Sequence, residues 1–323
     1  MLKNFRFIVI LLSLLIVLLS GCADNGINNM ENSVESDFRE NTANDNLNNE
    51  INLSSDSISY SEKAISESSI DDDFNPIKTE NNITYGSETL RGFILDNIYH
   101  SENSGDIHFC SYVPDSYDGN KPYALFITLP GWEGLYFQGA GENLKWENFG
   151  ITAQEYNSEM IIISPQLNDW GETSAEQTID LTEYLISIYN IDREKVYLEG
   201  YSGGGETGSI AICKRPDLYT AYLMVSSKWD GDLNALSKYK TPVYMAIGEK
   251  DSYYGSEPLK EAYSEIHTLY ENQGLTDKEI NKILILDVKQ QDYFSSRGVQ
   301  DQHAGGGLFA DDSDIMGWLF GEH

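Results

Sequence analysis

The chain has 323 residues and a formal net charge of −31 at pH 7, from 52 acidic and 21 basic side chains. A chain this acidic is repelled by nucleic acids and by anionic lipid surfaces, so we expect neither as a direct partner. The sequence has no phosphate-binding loop, no cofactor fingerprint and no metal-ligand spacing of its three cysteines, so it predicts no cofactor and no metal.

The first 21 residues are typical of a bacterial lipoprotein signal peptide. Lys3 and Arg6 precede an apolar run over 7–19, which is too short to span a bilayer comfortably. The small residues before Cys22 resemble a lipobox, which implies cleavage before Cys22 and lipid attachment to its thiol. We therefore expect export and contact with the membrane only through the anchor at Cys22. A plain secreted protein is the alternative.

Residues 22–85 are predicted to form a disordered, acidic, Asn/Ser-rich tether. Between residues 23 and 80 there are 14 acidic and three basic side chains, with few large apolar ones. Such a segment cannot bury enough apolar surface to offset the entropy of ordering it. A tether of this length reaches roughly 40 Å, enough to hold a domain clear of a membrane.

Residues 86–323 are predicted to form one α/β domain of about 240 residues, which is enough for a large core. Short apolar runs alternate with helical patterns, which indicates a mostly parallel sheet with helices on both faces. The predicted strands cover 92–95, 106–113, 123–129, 160–164, 196–198, 222–226, 243–247 and 283–288. One predicted helix begins at Thr173 or Ser174, and another includes 209–213. Two more are predicted at 256–272 and 308–319.

Two cysteines, Cys110 and Cys213, fall within this domain. An exported protein can form disulfides, but the sequence alone does not pair them. We expect two buried thiols, with a disulfide as the alternative.

A glycine-rich turn between a predicted strand and a predicted helix carries the candidate nucleophile. The turn, 200–204, reads G-Y-S-G-G and fits the pattern G-x-S-x-G. A serine at such a turn has a strained backbone and an exposed hydroxyl, and only glycine leaves room where strand and helix approach. Ser202 is therefore the predicted nucleophile, and the Gly203 N–H is a predicted oxyanion donor. A purely structural glycine turn is the alternative.

A serine nucleophile needs a base and a carboxylate, and after this type of turn the chain order is serine, acid, histidine. Of the five histidines, His303 alone lies on a polar loop after the last predicted strand, so we predict it as the base. Asp251 lies in the turn after strand 243–247 and is the predicted acid. Asp230 and Asp232 are the alternatives.

The second oxyanion donor is expected in the turn after strand 123–129. Pro130 has no N–H, so Trp132 is the predicted donor and Gly131 is the next candidate. Aromatic side chains lie just beyond several predicted strands, where open parallel sheets bind ligands. Those predicted to bind substrate are Tyr201, Trp170 and Trp229, and packing around the loops is their alternative role.

The chain resembles the α/β-hydrolase superfamily in its G-x-S-x-G turn, the G-E-K-D turn ending at Asp251, and His303. Within that superfamily it is most similar to the prolyl-oligopeptidase-like esterases, a group that includes feruloyl esterases and polyhydroxybutyrate depolymerases. The likeness covers about residues 90–320. The chain departs from the family at Pro130, where these proteins usually have histidine before glycine.

The resemblance implies a serine carboxylic-ester hydrolase with a Ser-His-Asp triad. We expect it to deacylate esters of carbohydrates or plant polymers at the cell surface, so its partner is a small-molecule or polysaccharide-linked ester. Two alternatives remain: a serine peptidase acting on small peptides, and a non-catalytic binding lipoprotein with a hydrolase fold. The peptidase is disfavoured because no segment is long enough to form the propeller or cap domain that peptidases of this superfamily carry.

Overall fold

The computed structural model describes residues 82–135 and 137–321, which contain a ten-stranded mixed sheet. The predicted signal peptide, Cys22 and nearly all of the predicted tether lie outside these described residues. The sheet also takes in residues before the predicted domain boundary at 86, because Ile83–Thr84 (β1) pairs antiparallel with Phe93–Ser101 (β3).

The described strands divide into an antiparallel edge and a parallel remainder. The antiparallel edge holds β1, Thr89–Leu90 (β2), β3 and Gly105–Tyr112 (β4). The parallel part holds Tyr123–Leu129 (β5), Met160–Pro165 (β6), Ile191–Tyr201 (β7), Ala221–Val225 (β8), Val243–Gly248 (β9) and Leu284–Lys289 (β10). The order is β1-β3-β4-β6-β5-β7-β8-β9-β10, with β2 on β3.

Helices cover both faces of the sheet, and this explains why its parallel strands are continuous apolar runs. All seven residues of β5 are buried, as are all five of β8. One face packs against Glu172–Ile188 (α2), Gly203–Lys214 (α3), Leu233–Tyr239 (α4), Glu257–Asn272 (α5) and Asp277–Ile283 (α6). The other packs against Phe149–Tyr156 (α1), Gln291–Ser295 (α7) and Ser313–Leu319 (α8). The fold class predicted from the sequence is confirmed.

The closing helix predicted at 308–319 is wrong in its extent. The chain instead forms a 3-10 helix over Ala304–Asp311 and then α8. The break falls at Asp312, whose side chain accepts a hydrogen bond from the Asp314 N–H and caps a new helix. The N-terminal part of the 3-10 helix brings the chain back past the carboxyl ends of the parallel strands.

Cys110 and Cys213 are both free and buried, which confirms the expectation of two thiols. They belong to the apolar clusters on opposite faces of the sheet, so they cannot meet. Burial raises the pKa of Cys110 to about 11 and that of Cys213 to about 12, so both are neutral thiols at pH 7. Among the described residues, no helix is both long and apolar enough to cross a membrane.

Candidate active site

Ser202 lies in a sharp turn between β7 and α3. Its backbone is in a strained conformation, with φ 54° and ψ −121°, which is unusual for a residue with a side chain. The glycines around it are required by close packing, because a Cβ on Gly204 would lie 2.3 Å from the carbonyl oxygen of Leu129 at the end of β5. The strained geometry is the one expected for a nucleophilic serine held at a strand-to-helix turn.

The structure brings Ser202, His303 and Asp251 into one chain of hydrogen bonds. The Ser202 Oγ lies 3.0 Å from His303 Nε2. On the other side of the imidazole, Nδ1 lies 2.9 Å from Asp251 Oδ2 and 3.1 Å from Oδ1. The Asp251 side chain is fully buried, whereas that of His303 is 19% exposed. A serine, a base and an orienting carboxylate are therefore in the relative positions that nucleophilic catalysis requires.

Backbone amides of its own turn hold the Asp251 carboxylate from behind. The N–H groups of Tyr253 and Tyr254 donate to Oδ1 over 3.0 and 2.9 Å. The two alternative acids are engaged elsewhere: Asp230 forms an ion pair with Lys228, and Asp232 caps α4. Neither replaces Asp251 beside His303.

The other described histidines do not join this group. His100 and His108 pair with Asp106 and Asp96 on the antiparallel edge of the sheet. His267 on α5 lies between Glu271 and Asp277, the one described cluster whose residue types could bind a metal. Glu271 lies 3.6 Å from Nδ1 and Asp277 lies 4.0 Å from Nε2, so the two carboxylates face different nitrogens of the ring. His323 lies outside the described residues.

Tyr201 fixes the loop that carries His303. Its hydroxyl donates to the His303 carbonyl oxygen over 2.8 Å, and its ring stacks on the imidazole with centroids 6.0 Å apart. Tyr201 thus supports the loop that carries His303, and the substrate binding expected of it stays a prediction. The adjacent Gln302 contributes from the other side, because its amide oxygen accepts the Lys250 N–H in the turn that carries Asp251.

Asp301 stabilises the same loop. Its carboxylate accepts the N–H groups of His303 and Ala304 and the hydroxyl of Ser252. Burial acts to raise the pKa of Asp301, but these hydrogen bonds and the nearby His303 outweigh it and lower the pKa below the usual aspartate value. The loop and the acid turn are therefore joined by contacts that the sequence did not predict.

The two candidates for the second oxyanion donor differ in what their N–H groups contact. The Gly131 N–H donates to Glu147 Oε1 over 3.0 Å, so it does not point freely at an oxyanion. Trp132 opens a 3-10 turn, Trp132–Gly134, and the first N–H groups of such a turn have no partner within it. The loop is next to the nucleophile, because a Cβ on Gly131 would lie 3.4 Å from the Ser202 Cβ. This geometry favours Trp132 together with Gly203, the first residue of α3.

Of the two predicted substrate-binding tryptophans, only Trp170 contacts the nucleophile turn. A Cβ on Gly203 would lie 2.3 Å from the Trp170 Nε1, so the indole packs directly on that glycine. Its ring centroid is 6.1 Å from that of Trp132. Trp229 instead packs edge-on against Tyr222, and its indole N–H donates to the Gly231 carbonyl oxygen. It also contacts the Cys213 thiol on α3.

Tyr254 contacts Ser202, Asp251 and His303, and only its proximity to Asp251 in the chain could have indicated this. Besides its N–H bond to Asp251, its ring lies edge-on to His303 with centroids 5.5 Å apart. Its hydroxyl donates to Glu206 Oε1 and also faces the Ser202 hydroxyl. Burial, followed by the Glu206 carboxylate, raises the pKa of Tyr254. The phenol therefore stays protonated beside the nucleophile.

The chain resembles known proteins over part of its length. Residues 166–282 match the model of the prolyl oligopeptidase family. Acetylxylan esterase A of Emericella nidulans is 20% identical over 174 residues, which are 49% of this chain and 53% of that protein. The probable feruloyl esterase C of Aspergillus niger is 28% identical over 121 residues, which are 35% of this chain and 44% of that protein. The chain thus spans about half, or less, of the curated relatives it matches.

Two solved structures share the architecture. A thermostable esterase has a TM-score of 0.58 and 18% identity, over 71% of this chain and 62% of that chain. The S-formylglutathione hydrolase of Staphylococcus aureus has a TM-score of 0.50 and 14% identity, over 74% of this chain and 99% of that chain. At these identities the likeness concerns the fold. Its mostly parallel sheet, covered on both faces and carrying a strained serine turn after a central strand, gives this chain the α/β-hydrolase fold.

Proposed function

We propose that this protein is a serine carboxylic-ester hydrolase that works through an acyl-enzyme. The observation that carries the proposal is the continuous hydrogen-bond chain from Ser202 through His303 to Asp251 at a strained turn. A structural glycine turn would need neither an imidazole within 3.0 Å of the hydroxyl nor a buried carboxylate behind that imidazole. The relatives named as esterases support the same reaction class.

In the proposed reaction, Ser202 Oγ attacks the acyl carbon while His303 Nε2 takes its proton. Asp251 stabilises the imidazolium that forms, and the N–H groups of Gly203 and Trp132 stabilise the negative charge on the acyl oxygen. His303 then gives its proton to the departing alcohol, which leaves an acyl group on Ser202. Water, activated by His303, attacks this acyl-enzyme and releases the acid.

We further propose that the alcohol part of the substrate is a carbohydrate or plant polymer. Three exposed aromatic rings lie close to the triad, which suits flat sugar rings or a phenolic acyl group. Trp132 is 53% exposed and contacts Phe137, which is 55% exposed, while Tyr253 is 65% exposed and 5.3 Å from the His303 ring centroid. The names of the acetylxylan and feruloyl esterase relatives support this substrate class. Action at the cell surface depends on lipidation of Cys22 and stays a prediction.

A serine peptidase is the second candidate, because residues 166–282 match the prolyl oligopeptidase family. The chemistry of attack would be the same, but the leaving group would be an amine. The two candidates are separated by comparing the hydrolysis of acyl esters with that of aminoacyl amides.

The decisive experiment measures hydrolysis of a short-chain aryl ester by the wild type, Ser202→Ala and the control Ser264→Ala, an exposed serine on α5. We expect Ser202→Ala to lose at least ~10³-fold in kcat, while the control stays at the wild-type rate. Fluorophosphonate should label the wild type at Ser202. Equal rates for Ser202→Ala and the wild type, or the absence of both turnover and labelling, would refute the proposal. A panel of acetylated and feruloylated sugars then tests the substrate class.

A further inference from the structure

A buried carboxyl group lies directly behind the loop that supplies the second oxyanion donor. Glu147 is 6% exposed, in a chain whose net charge is −31. Burying a carboxyl group is costly unless it is hydrogen-bonded, so a buried glutamate beside a nucleophile needs a reason. Its Oε1 accepts the Gly131 N–H over 3.0 Å, and its Oε2 accepts the side-chain amide of Asn143 over 3.2 Å.

Glu147 is held firmly enough to fix what it binds. The Asn143 amide that contacts it also donates to the Ser164 hydroxyl at the end of β6, over 3.1 Å. The Arg91 guanidinium donates to the Glu147 carbonyl oxygen over 3.3 Å and to that of Leu144 over 3.0 Å. The carboxyl group is thus anchored to β6 through its side chain and to the antiparallel edge of the sheet through its backbone.

The Glu147 carboxyl group restricts the backbone conformation of Gly131. Gly131 has no Cβ to restrict it, and it is the only residue between Pro130 and the candidate donor Trp132. With its N–H held by Glu147, Gly131 has φ −75° and ψ −150°, and the next peptide unit carries the Trp132 N–H. A Cβ on Gly131 would lie 3.4 Å from the Ser202 Cβ and 3.5 Å from Glu147 Oε1, so Gly131 is close to both the predicted nucleophile and the carboxyl group.

We propose that Glu147 is a positioning residue for the oxyanion hole, which holds the Gly131 N–H so that the neighbouring Trp132 N–H is directed at the acyl oxygen. The inference rests on the proposed esterase function. Glu147 itself does not touch the substrate. It also prevents Gly131 from offering its own N–H to the oxyanion in a competing geometry.

The role predicts different effects for two substitutions. In Glu147→Gln, the amide oxygen can still accept the Gly131 N–H, but the amide nitrogen that replaces Oε2 faces the donating Asn143 amide, so kcat should fall several-fold, as in Asn143→Ala, and less than in Glu147→Ala. In Glu147→Ala, the N–H loses its acceptor and the Gly131–Trp132 peptide can rotate. We expect kcat to fall by ~10- to 100-fold, because oxyanion stabilisation acts in the transition state, while KM changes by less than ~2-fold. Glu155→Ala, an exposed glutamate on α1, is the matched control and should behave as wild type.

The experiment measures kcat and KM for the aryl ester, the rate of fluorophosphonate labelling at Ser202, and the urea midpoint for each full-length variant. We expect Glu147→Ala to be slow in both turnover and labelling, and Glu147→Gln to remain more active than Glu147→Ala. If Glu147→Ala keeps the wild-type kcat, if Glu147→Gln falls as far as Glu147→Ala, or if the loss is in KM alone, the inference is overturned.

A second variant covers the case in which Glu147→Ala does not fold. Asn143→Ala removes only the amide that fixes Glu147 Oε2, and we expect a several-fold loss of kcat with KM unchanged; an unchanged kcat again overturns the inference. An inactive, unlabelled wild type would instead refute the proposed function and the inference with it, whereas an active wild type beside an equally active Glu147→Ala refutes the inference alone.

Discussion

Replacing Glu199 by glutamine should stabilise the protein relative to the wild type, by an amount that increases with pH. Glu199 lies on β7, three residues before Ser202, and is 0% exposed. Its Oε2 accepts a hydrogen bond of 2.7 Å from the hydroxyl of Thr128, which lies opposite Glu199 on the neighbouring strand β5. Its Oε1 has no hydrogen-bond partner in the described part of the chain. Burial raises the pKa of Glu199 well above the usual value, the Thr128 bond opposes this, and the Glu147 charge adds to it.

The sign of the effect follows from proton linkage. The pKa of Glu199 is higher in the folded protein than the ~4.3 of an unfolded chain, so between these two values the folded state holds a proton that the unfolded state releases. The free energy of unfolding attributable to Glu199 is therefore fully present below pH ~4 and is lost as the pH rises toward the folded pKa. The largest slope is about 1.4 kcal/mol per pH unit. Glutamine cannot ionise and escapes this loss.

The assay is urea unfolding of the wild type and Glu199→Gln at pH 5, 6, 7 and 8. We expect the free energy of unfolding of the variant, minus that of the wild type, to increase with pH. Every other titrating group is common to both proteins and cancels in the difference. Glu194→Gln, at an exposed glutamate on the same strand, is the matched control for the loss of one acidic side chain. A difference that is flat or decreases with pH would refute the assignment of a neutral Glu199.

Two other substitutions test the site and its packing. Asp251→Asn should lower kcat by ~10³- to 10⁴-fold in a steady-state ester assay. The new amide cannot accept hydrogen bonds both from His303 and from the N–H groups of Tyr253 and Tyr254. A loss below ~10-fold would count against Asp251 as the orienting acid. Gly204→Ala should lose at least about 2 kcal/mol in chemical unfolding, because its Cβ meets the Leu129 carbonyl oxygen at 2.3 Å, whereas Gly307→Ala, with nothing within 4 Å, should be tolerated.

The sequence could predict that Ser202, Asp251 and His303 converge, because the fold reduces the search to a few loops. Continuous apolar runs identify parallel strands, and the carboxyl ends of such strands meet at one edge of the sheet. Only residues just after those ends can converge there. Ser202, Asp251 and His303 each stand in such a place, and the structure brings them within hydrogen-bond distance. The fold class needed no more than the alternation of runs and helical patterns.

The residues that support the triad could not be predicted in this way. Glu147 lies between a 3-10 helix, Asn143–Lys145, and α1, where no hydrophobic period marks it and nothing in the sequence indicates burial. Its contact with Gly131 joins residues 16 apart in the chain, and Tyr201 reaches His303 across 102 residues. The short helices α1, α4, α6 and α7 also escaped prediction, because five to eight residues are too few to establish a 3.6-residue period.

The buried carboxyl groups around Ser202 pose one electrostatic problem, since the proposed reaction creates a further negative charge beside them. Each is compensated differently: Asp251 by two backbone N–H groups and the imidazole, Glu147 by the Gly131 N–H and an amide, and Glu199 by keeping its proton. A further ionised carboxylate on the strand that leads to Ser202 would oppose the oxyanion of the proposed reaction through a medium of low dielectric constant, where charges interact strongly. With its proton retained, Glu199 adds no such charge to this strand. The urea series at different pH values therefore tests whether the strand of the proposed nucleophile carries a further buried charge.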